Sequence, residues 1–295
     1  MENVANTFKL VKRVKDEKFS IDKLHNYTLI IQIGIRDLQV SVIDSQDNRC
    51  LTLEDYVFAP VKSVQEHFDY IKSVFDSHHF LMAGFWKSVK ISVKNQKFSH
   101  VPASFFIPES SQDFLSINCR FDPKTEKVLY YKSIKSEVIT VFALDLNLYE
   151  WINSLYPNSS IGFVHQSSAL IEGILDYSKS HKNITMYLYI DRFKLHILTI
   201  KGNGLEYYNQ FSIKQFSEYI KYIMLVVKGL QHDQNKSNLV LWGYIGKQSP
   251  HYNEFYKYIK NISFGDRPDF LRYGYVFDEI QDHHFFDLYN IYLCD

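Results

Sequence analysis

Cysteine is scarce in this sequence, and neither sign of charge dominates it. The three cysteines, Cys50, Cys119 and Cys294, lie far apart and form no CxxC pair. Their number and spacing exclude a disulfide framework and are typical of a reducing compartment. Lys plus Arg and Asp plus Glu number 33 each, so the chain lacks the overall field that attracts proteins to nucleic acid or to an acidic membrane surface. We therefore expect no nucleic-acid partner.

Long apolar runs and targeting segments are also missing. Nowhere do about 18 apolar residues follow one another, as a transmembrane helix would require. Residues 1–20 contain no apolar core of a signal peptide. These absences predict a cytoplasmic protein without membrane insertion.

Sequence signatures of catalysis are absent as well. There is no GxSxG nucleophile elbow and no HExxH pair. The histidine pairs His78 and His79, and His283 and His284, are neighbours in sequence, and neighbouring side chains seldom converge on one metal ion. From the residues alone we predict no catalytic nucleophile and no metal site.

Aromatic residues, by contrast, are abundant. The chain holds 22 Tyr and 23 Phe, and the aromatic fraction is 16%. Such side chains are enriched at protein interfaces, and they serve equally often as half-buried packing. Their abundance makes another protein the expected partner, leaves the packing role open and specifies no oligomeric state.

The strongest internal signal is a repeat. Residues 28–44, TLIIQIGIRDLQVSVID, align without a gap with residues 185–201, TMYLYIDRFKLHILTIK. Each stretch reads as a β-hairpin, and each is followed by a third extended run and then by apolar residues at the spacing of one helix face. Both halves of the chain are therefore predicted to begin with three strands and a helix.

The remaining pattern completes two α/β lobes. We predict an N-terminal extension at residues 1–24, a first lobe at 25–165, an inter-lobe helix and turn at 166–182, and a second lobe at 183–295. Further strands are predicted at residues 89–93, 97–106, 137–143, 161–164, 238–242 and 273–277. Further helices are predicted at residues 146–155, 166–178, 252–259 and 284–293.

The order of these motifs resembles that of the ribonuclease H-like and actin-like superfamily. The motifs that carry the resemblance are IIQIGIRDLQV, KISV with VPASFF, EVITVFALDLNLYEWI, HQSSALIEGI, the second hairpin and LVLWGYIG. They are similar to those of the degenerate actin-like proteins of pilus assembly and type II secretion. They are also similar to those of an uncharacterised bacterial family of unknown function with an actin-like ATPase fold. The resemblance covers most of the chain and implies a two-lobed actin-like ATPase fold, in which each lobe is a mixed sheet with helices built on a duplicated βββαβαβα-type unit.

The resemblance also implies which chemistry to look for. Active members carry an acidic residue two positions before a glycine in each hairpin, where it positions metal, water and phosphate. Here the first hairpin keeps Gly34 but has Gln32 at the acidic position, and the second has Tyr189 followed by Asp191. An amide brings no charge to hold a divalent cation, and a tyrosine ring would occupy space near the phosphates. Efficient phosphoryl transfer is therefore expected to be lost.

A second nucleotide element in this superfamily is a glycine-bearing turn after a strand of the second lobe. Gly243 and Gly246 lie where the resemblance places that turn, with Trp242 or Tyr244 able to stack on a base; alternatively, the glycines only turn the chain. Ser167 or Ser168 is predicted to cap the inter-lobe helix, and Ser167 is a cleft candidate as the second choice. The candidate nucleotide-binding residues are Gly34, Asp191, Gly243, Tyr244 and Gly246, and the cleft candidates are Gln32, Tyr189 and Ser167.

Two functional hypotheses remain open at this point. The first is a catalytically silent actin-like scaffold that binds another protein and holds ATP or ADP with magnesium, if it holds any cofactor, without hydrolysing it. The alternative is an active nucleotide hydrolase or phosphotransferase that uses Asp37, Asp44 and Asp191 as non-standard carboxylates. The alternative requires those carboxylates to converge on one metal ion.

Overall fold

A computed structural model describes residues 7–192, 194–233, 235–246 and 248–295. The strands are β1 Phe8–Lys15, β2 Tyr27–Gly34, β3 Asp37–Asp44, β4 Arg49–Phe58, β5 Ser88–Lys94, β6 Phe98–Pro102, β7 Glu126–Lys132, β8 Val138–Asp145, β9 Ser160–His165, β10 Met186–Asp191, β11 Lys194–Lys201, β12 Gly204–Ser212, β13 Asn238–Gly243, β14 Asn261–Phe264 and β15 Arg272–Tyr273. The α-helices are α1 Val64–Ser77, α2 Ser111–Ser116, α3 Leu146–Leu155, α4 Gln166–Ser178, α5 Ser217–Gly229, α6 Pro250–Tyr258 and α7 Phe286–Asn290. None of these helices has the length and apolar character needed to cross a bilayer.

The first sheet has the order β1-β4-β3-β2-β5-β9, and β15 pairs with β4. Strands β2, β3 and β4 form an antiparallel meander, whereas β2, β5 and β9 run parallel. Every residue of β2 is buried. Its continuous apolar run thus reflects a central strand that is covered on both faces.

The second sheet repeats this topology in the order β12-β11-β10-β13-β14. Strands β3 and β11 begin and end at equivalent positions of the ungapped sequence alignment. In both sheets the first strand of the meander also pairs in parallel with the strand after the helix. The structure therefore confirms the predicted repeat of three strands and a helix.

A third, smaller sheet is inserted between β5 and α3. It has the order β6-β8-β7 and packs against α2. The predicted strand at residues 97–106 was too long, because β6 ends at Pro102 and a 3₁₀ turn, Ala103–Phe105, follows. Strand β7 was not predicted, since only Tyr131 of its residues is buried and the others are half-buried or exposed.

The predicted lobe boundaries differ from the structure at both ends of the chain. Strand β1 lies inside the predicted N-terminal extension, yet it forms the edge of the first sheet and pairs antiparallel with β4. At the other end, β15 pairs with Arg49 and Cys50 of β4, and Leu288 and Tyr289 belong to the core of the first lobe. Only residues up to about β14 build the second lobe, because the chain then returns to the first.

The C-terminal elements are also shorter than predicted. The strand expected at residues 273–277 is reduced to β15, and a 3₁₀ helix, Tyr275–Glu279, follows it. The helix expected at residues 284–293 is the short α7 followed by a 3₁₀ turn, Ile291–Leu293. Sequence spacing does not separate these short helical forms from regular strands and helices.

Helix α4 is the central element between the lobes, and its bounds agree with the predicted helix. Its first ten residues are all buried. Ala169 belongs to the core of the first lobe, while Leu170 and Ile174 pack in the core that covers one face of the second sheet. Helix α4 is thus buried between the lobes and packs against both of them. Its first residue, Gln166, lies where the two hairpins meet.

Candidate functional site

The two hairpin turns meet across the space between the lobes. Lys94 at the end of β5 lies between two carboxylates: its Nζ is 2.7 Å from Asp37 Oδ2 and 3.5 Å from Asp191 Oδ1. Asp37 begins β3 and Asp191 ends β10, so one carboxylate comes from each lobe. All three side chains are at most 6% exposed.

Arg192 extends this contact. Its Nε donates to Asp37 Oδ2 at 2.8 Å, and its Nη2 donates to both oxygens of Asp55 at 2.8 Å. Arg192 has a φ of 36°, so it turns the second hairpin in the left-handed region. We call Asp37, Asp55, Lys94, Asp191 and Arg192 the inter-lobe ion network.

A second layer of hydrogen bonds lies behind the network. Gln166 at the start of α4 donates from Nε2 to Asp191 Oδ2 at 3.1 Å and to Asp287 Oδ2 at 2.8 Å. Tyr189 donates its hydroxyl to Asp287 Oδ1. This layer joins the second hairpin, α4 and α7 at the point where the lobes meet.

The pKa values show how charge is shared in these two layers. Burial alone would lower the pKa of Lys94, but Asp191, Asp37 and Asp287 raise it above its usual value. Burial would raise the pKa of Asp191, and Lys94 together with Gln166 holds it below the usual value instead. Burial raises the pKa of Asp287. Lys94 therefore stabilises Asp191 in its ionised form.

Gly34 and Gln32 lie beside the network but face protein. A Cβ on Gly34 would lie 2.2 Å from Asp37 Oδ1 and 2.8 Å from Lys94 Cε, so the chain's own side chains fill the space beside this glycine. Gln32 is fully buried, and its Nε2 donates to Ser92 Oγ at 3.4 Å. Protein side chains therefore occupy the space that a phosphate would need next to Gly34.

The glycine-bearing turn after β13 has a structural role. Gly243 has a φ of 99°, and a Cβ there would lie 2.0 Å from the carbonyl oxygen of Ile190. Its N–H donates to His283 O at 2.8 Å, and the N–H of Tyr244 donates to Ile190 O at 2.8 Å. Gly243 thus lets the backbone pass close to β10, which agrees with the interpretation that this glycine turns the chain.

The two aromatic residues proposed to stack on a base make other contacts within the protein. Trp242 is fully buried, stacks on Phe286 with ring centroids 4.4 Å apart, and donates Nε1–H to Asp266 O. The prediction that Trp242 could stack on a base was wrong, because its ring has no free face. The ring of Tyr244 lies 4.5 Å from the Arg192 guanidinium carbon, and its hydroxyl accepts from Gln39.

Gly246 lies apart from the hairpins. A Cβ there would meet no atom of the described residues within 4 Å. It lines a separate cavity of 640 Å³ together with Ser249, Arg267 and Asp282. The structure therefore does not bring Gly246 together with Gly34 and Asp191.

Ser167 lies among buried histidines. Its Oγ is 2.8 Å from His165 Nδ1 and 3.0 Å from His100 Nε2. The N-terminus of α4 is capped by His165, whose Nδ1 accepts from the N–H of Ser167, so the predicted capping by Ser167 or Ser168 was wrong. Burial lowers the pKa of His100 to about 4 and that of His165 well below its usual value. These rings are neutral and serve as packing and hydrogen-bonding groups.

The space that remains between the hairpin tips is small. The cavity there has a volume of 90 Å³ and is lined by Gly34, Ile35, Arg36, Asp37, Lys94, Asp191, Arg192 and Lys194. Ligand pockets typically hold about 300 to 1,000 Å³. Within the described ranges, no three His, Cys, Asp or Glu side chains are grouped as metal ligands. These residues do not fit a magnesium nucleotide, because the charges that would hold one are paired with each other.

The carboxylates of the alternative hypothesis do not converge on a free site. Asp44 lies at the opposite end of β3 from Asp37, and its Oδ1 accepts from the N–H of Gln46 at 2.9 Å. Asp37 and Asp191 do converge, but on the ammonium group of Lys94.

Sequence reasoning missed most of the network. Lys94, Asp55 and Asp287 were not considered, and Arg192 was considered only as part of the repeat. A weak signal existed for Lys94, because a lysine that directly follows a buried apolar strand requires a partner. Nothing in the local sequence singles out Asp287.

Two lobes of repeated topology, joined through a buried helix with their hairpins facing each other, define an actin-like ATPase fold. The chain itself belongs to a family of proteins of unknown function (DUF3822), whose model matches residues 16–262. It is similar to a Bacteroides thetaiotaomicron protein with an actin-like ATPase fold and unknown function, with 22% identity over 94% of this chain and 99% of that one and a TM-score of 0.78.

Two further structures are similar to the chain at lower identity. The PilM–PilN type IV pilus biogenesis complex matches with 10% identity over 90% of this chain and 97% of that one, and with a TM-score of 0.54. The activator of 2-hydroxyisocaproyl-CoA dehydratase from Clostridium difficile, with bound ADPNP, matches with 9% identity over 90% and 93% of the two chains. Its TM-score of 0.43 is too low to bear on a ligand in this chain. No protein of curated function matches the chain.

Proposed function

We propose that this chain is a catalytically silent actin-like scaffold that recognises another protein and does not turn over nucleotide. The observation that carries the proposal is the position of Lys94. Its ammonium group lies between carboxylates from the two hairpins, where an active member of the superfamily would need a divalent cation and phosphates. Phosphoryl transfer depends on positioning and neutralising those phosphates, and here the carboxylates neutralise a lysine instead.

The network also holds the cleft closed. Opening the lobes would separate Lys94 from Asp191 and Arg192 from Asp37 and Asp55. Hydrogen bonds that involve charged groups contribute about 1.5 to 3 kcal/mol each to stability. A nucleotide would have to supply that energy before it gained any contact with the hairpins.

Two observations support the recognition of another protein. The PilM–PilN complex contains a protein of this fold bound to a protein partner. The chain also exposes large apolar side chains, among them Phe105, Ile117 and Ile134. We place this scaffold in the cytoplasm, which accords with its three unpaired cysteines.

Titration calorimetry and phosphate release with ATP and ADP, with and without magnesium, test the silent cleft. We expect no turnover and no heat of binding at millimolar nucleotide. Binding without turnover would contradict the closed cleft but keep a silent scaffold. Magnesium-dependent hydrolysis that disappears in Asp37→Asn would overturn the proposal in favour of the hydrolase.

The partner requires a separate experiment. The tagged full chain would be recovered with its bound protein from its own host, and the complex would then be rebuilt from the two purified components. A stoichiometric complex that forms equally well with and without nucleotide is the expected result. A complex that forms only with ATP would contradict the nucleotide-independent scaffold.

A further inference from the structure

Two adjoining grooves run between the small sheet and the second lobe. They have volumes of 630 and 580 Å³ and share Lys135 and Asn203 in their walls. One extends along the C-terminal end of α4, and the other lies between Pro102 and Leu205. Together they form one continuous groove, which we call the α4 groove.

Two turns form the walls of the α4 groove. One is the two-residue turn Gly202 and Asn203 between β11 and β12, where Gly202 has a φ of 63°. The other is the loop between β7 and β8, which the buried carboxylate of Glu172 holds in place. Glu172 Oε1 accepts from Ser133 Oγ at 2.7 Å, from the N–H of Ile134 at 2.7 Å and from the hydroxyl of Tyr131 at 3.2 Å.

This anchored loop presents an apolar side chain to solvent. Ile134 is 58% exposed although its own N–H is held by a fully buried carboxylate. Its neighbour Lys135 is held by Asp176 at 3.0 Å. A loop ordered in advance loses little conformational entropy when a ligand binds, so it is suited to docking.

Two edge strands reach the groove, β6 at Pro102 and β12 at Gly204 and Leu205. Strand β6 pairs only with β8 and β12 only with β11, and no backbone hydrogen bond among the described residues joins β6 to β12. Side chains bring the two strands together at one end, where Phe98 contacts Tyr208. At the other end, Pro102 and Leu205 are separated by the groove. Free strand edges of this kind can pair with an extended chain.

The groove is apolar at its floor and positive along α4. The part beside α4 contains Lys135, Lys179 and Lys182 and no Asp or Glu, whereas the other part contains Glu137. Asp176 outside this part pairs with both Lys135 and Lys179, whereas Lys182 makes no ion pair with any described residue. The floor consists of Leu175, Ile184, Tyr187 and Ile200.

We infer that the α4 groove binds an extended segment of a partner protein in which carboxylates alternate with aliphatic side chains. Lys182, which pairs with no carboxylate of the described residues, attracts the carboxylates. The floor and Ile134 take the aliphatic groups, and the free edge of β12 binds the backbone. This inference rests on the proposed scaffold function and assigns its partner-binding surface.

Peptide display on the immobilised full chain tests the inference. Enriched peptides would be synthesised with a fluorescein label, and their affinities measured by anisotropy. We expect acidic, aliphatic peptides that bind at least about tenfold more weakly to Ile134→Ser/Lys182→Glu. The control is Ile21→Ser/Lys124→Glu, because Ile21 is also 58% exposed and Lys124 is exposed away from the groove.

The outcomes distinguish a failure of the groove proposal from a failure of the scaffold proposal. Melting curves would first show that both double variants are folded. Peptides that bind both variants alike, that lack carboxylates, or that fail to be enriched at all would overturn the groove and leave the scaffold function standing. Magnesium-dependent ATP turnover would overturn the scaffold function itself.

Discussion

Two lysines on β5, Lys90 and Lys94, are both mostly buried but have different partners. Lys94 lies between Asp37 and Asp191, which are themselves buried. Lys90 donates to the carbonyl of Tyr292 and to Asp295, whose side chain is 80% exposed. The contribution of each lysine to the free energy of unfolding depends on whether its partner can be hydrated when the lysine is removed.

We expect Lys94→Met to cost about 3 to 5 kcal/mol of unfolding free energy, because it leaves Asp191 buried without a cation. Lys90→Met should cost only about 1 kcal/mol, since water can solvate Asp295. Urea unfolding at pH 7 measures both. Equal losses in the two variants would show that Lys94 does not neutralise the site.

Two buried tyrosines offer a similar comparison. The hydroxyl of Tyr189 donates to Asp287, whereas the hydroxyl of Tyr289 has no hydrogen-bond partner among the described residues. Tyr189→Phe should destabilise the protein by about 1 to 3 kcal/mol, because Asp287 loses a donor in a buried site. Tyr289→Phe should be neutral or stabilising, because it removes an unpaired polar group. Thermal unfolding of both variants checks this, and a larger loss from Tyr289→Phe would contradict it.

At the scale of elements, the turn after β13 shows how strand spacing imposes a residue type. Strand β13 pairs in parallel with β10, and Gly243 lies opposite Ile190. The carbonyl of Ile190 accepts from Tyr244 and lies where a Cβ on Gly243 would stand. The glycine is required by the approach of two strands rather than by a ligand.

Gly243→Ala should cost about 3 kcal/mol, because it adds a Cβ clash to a backbone in the left-handed region. Gly246→Ala is the matched control and should change stability by less than about 1 kcal/mol, since no atom lies near its Cβ position. Chemical denaturation measures the free energy of unfolding of both variants. A well-tolerated Gly243→Ala would mean that the turn can relax away from β10.

At the scale of the whole molecule, buried histidines make stability depend on pH. His165 and His196 are fully buried, and burial lowers the pKa of both well below the usual value. In the unfolded chain they titrate near about 6.5. The unfolded state therefore binds protons first as the pH falls, so the stability that these neutral rings contribute is present above pH 6.5 and is lost below it.

Unfolding free energy should fall between pH 6.5 and 5.5 by about 1 kcal/mol for each of these two histidines. His196→Asn should reduce that slope, because it removes one of the two buried rings. Urea unfolding at pH 7.5, 6.5 and 5.5 provides the measurement. A stability that is flat over this range would contradict the neutral, buried state of both rings.

Much of the fold could be predicted because its signals are local. The two meanders, α1, α4, α5 and β13 follow from alternation, helical spacing and the repeat. Strands β1 and β7 were not predicted, because an edge strand with many exposed residues shows only a weak apolar pattern. The C-terminal return to the first lobe was missed because pairing of β15 with β4 depends on contacts between distant segments.

The candidate site, like the fold, could be predicted from the sequence only in part. The sequence by itself determined that Gln32 and Tyr189 stand at the same position of the two repeated hairpins, because residue identity at a position of a repeat is a local fact. Only the tertiary structure decided that Lys94 and Arg192 bind the carboxylates that remain. Residues 37, 94 and 191 meet because β2 pairs with β5 and the two hairpins face each other across α4, and no local pattern encodes a distance between separate segments of the chain.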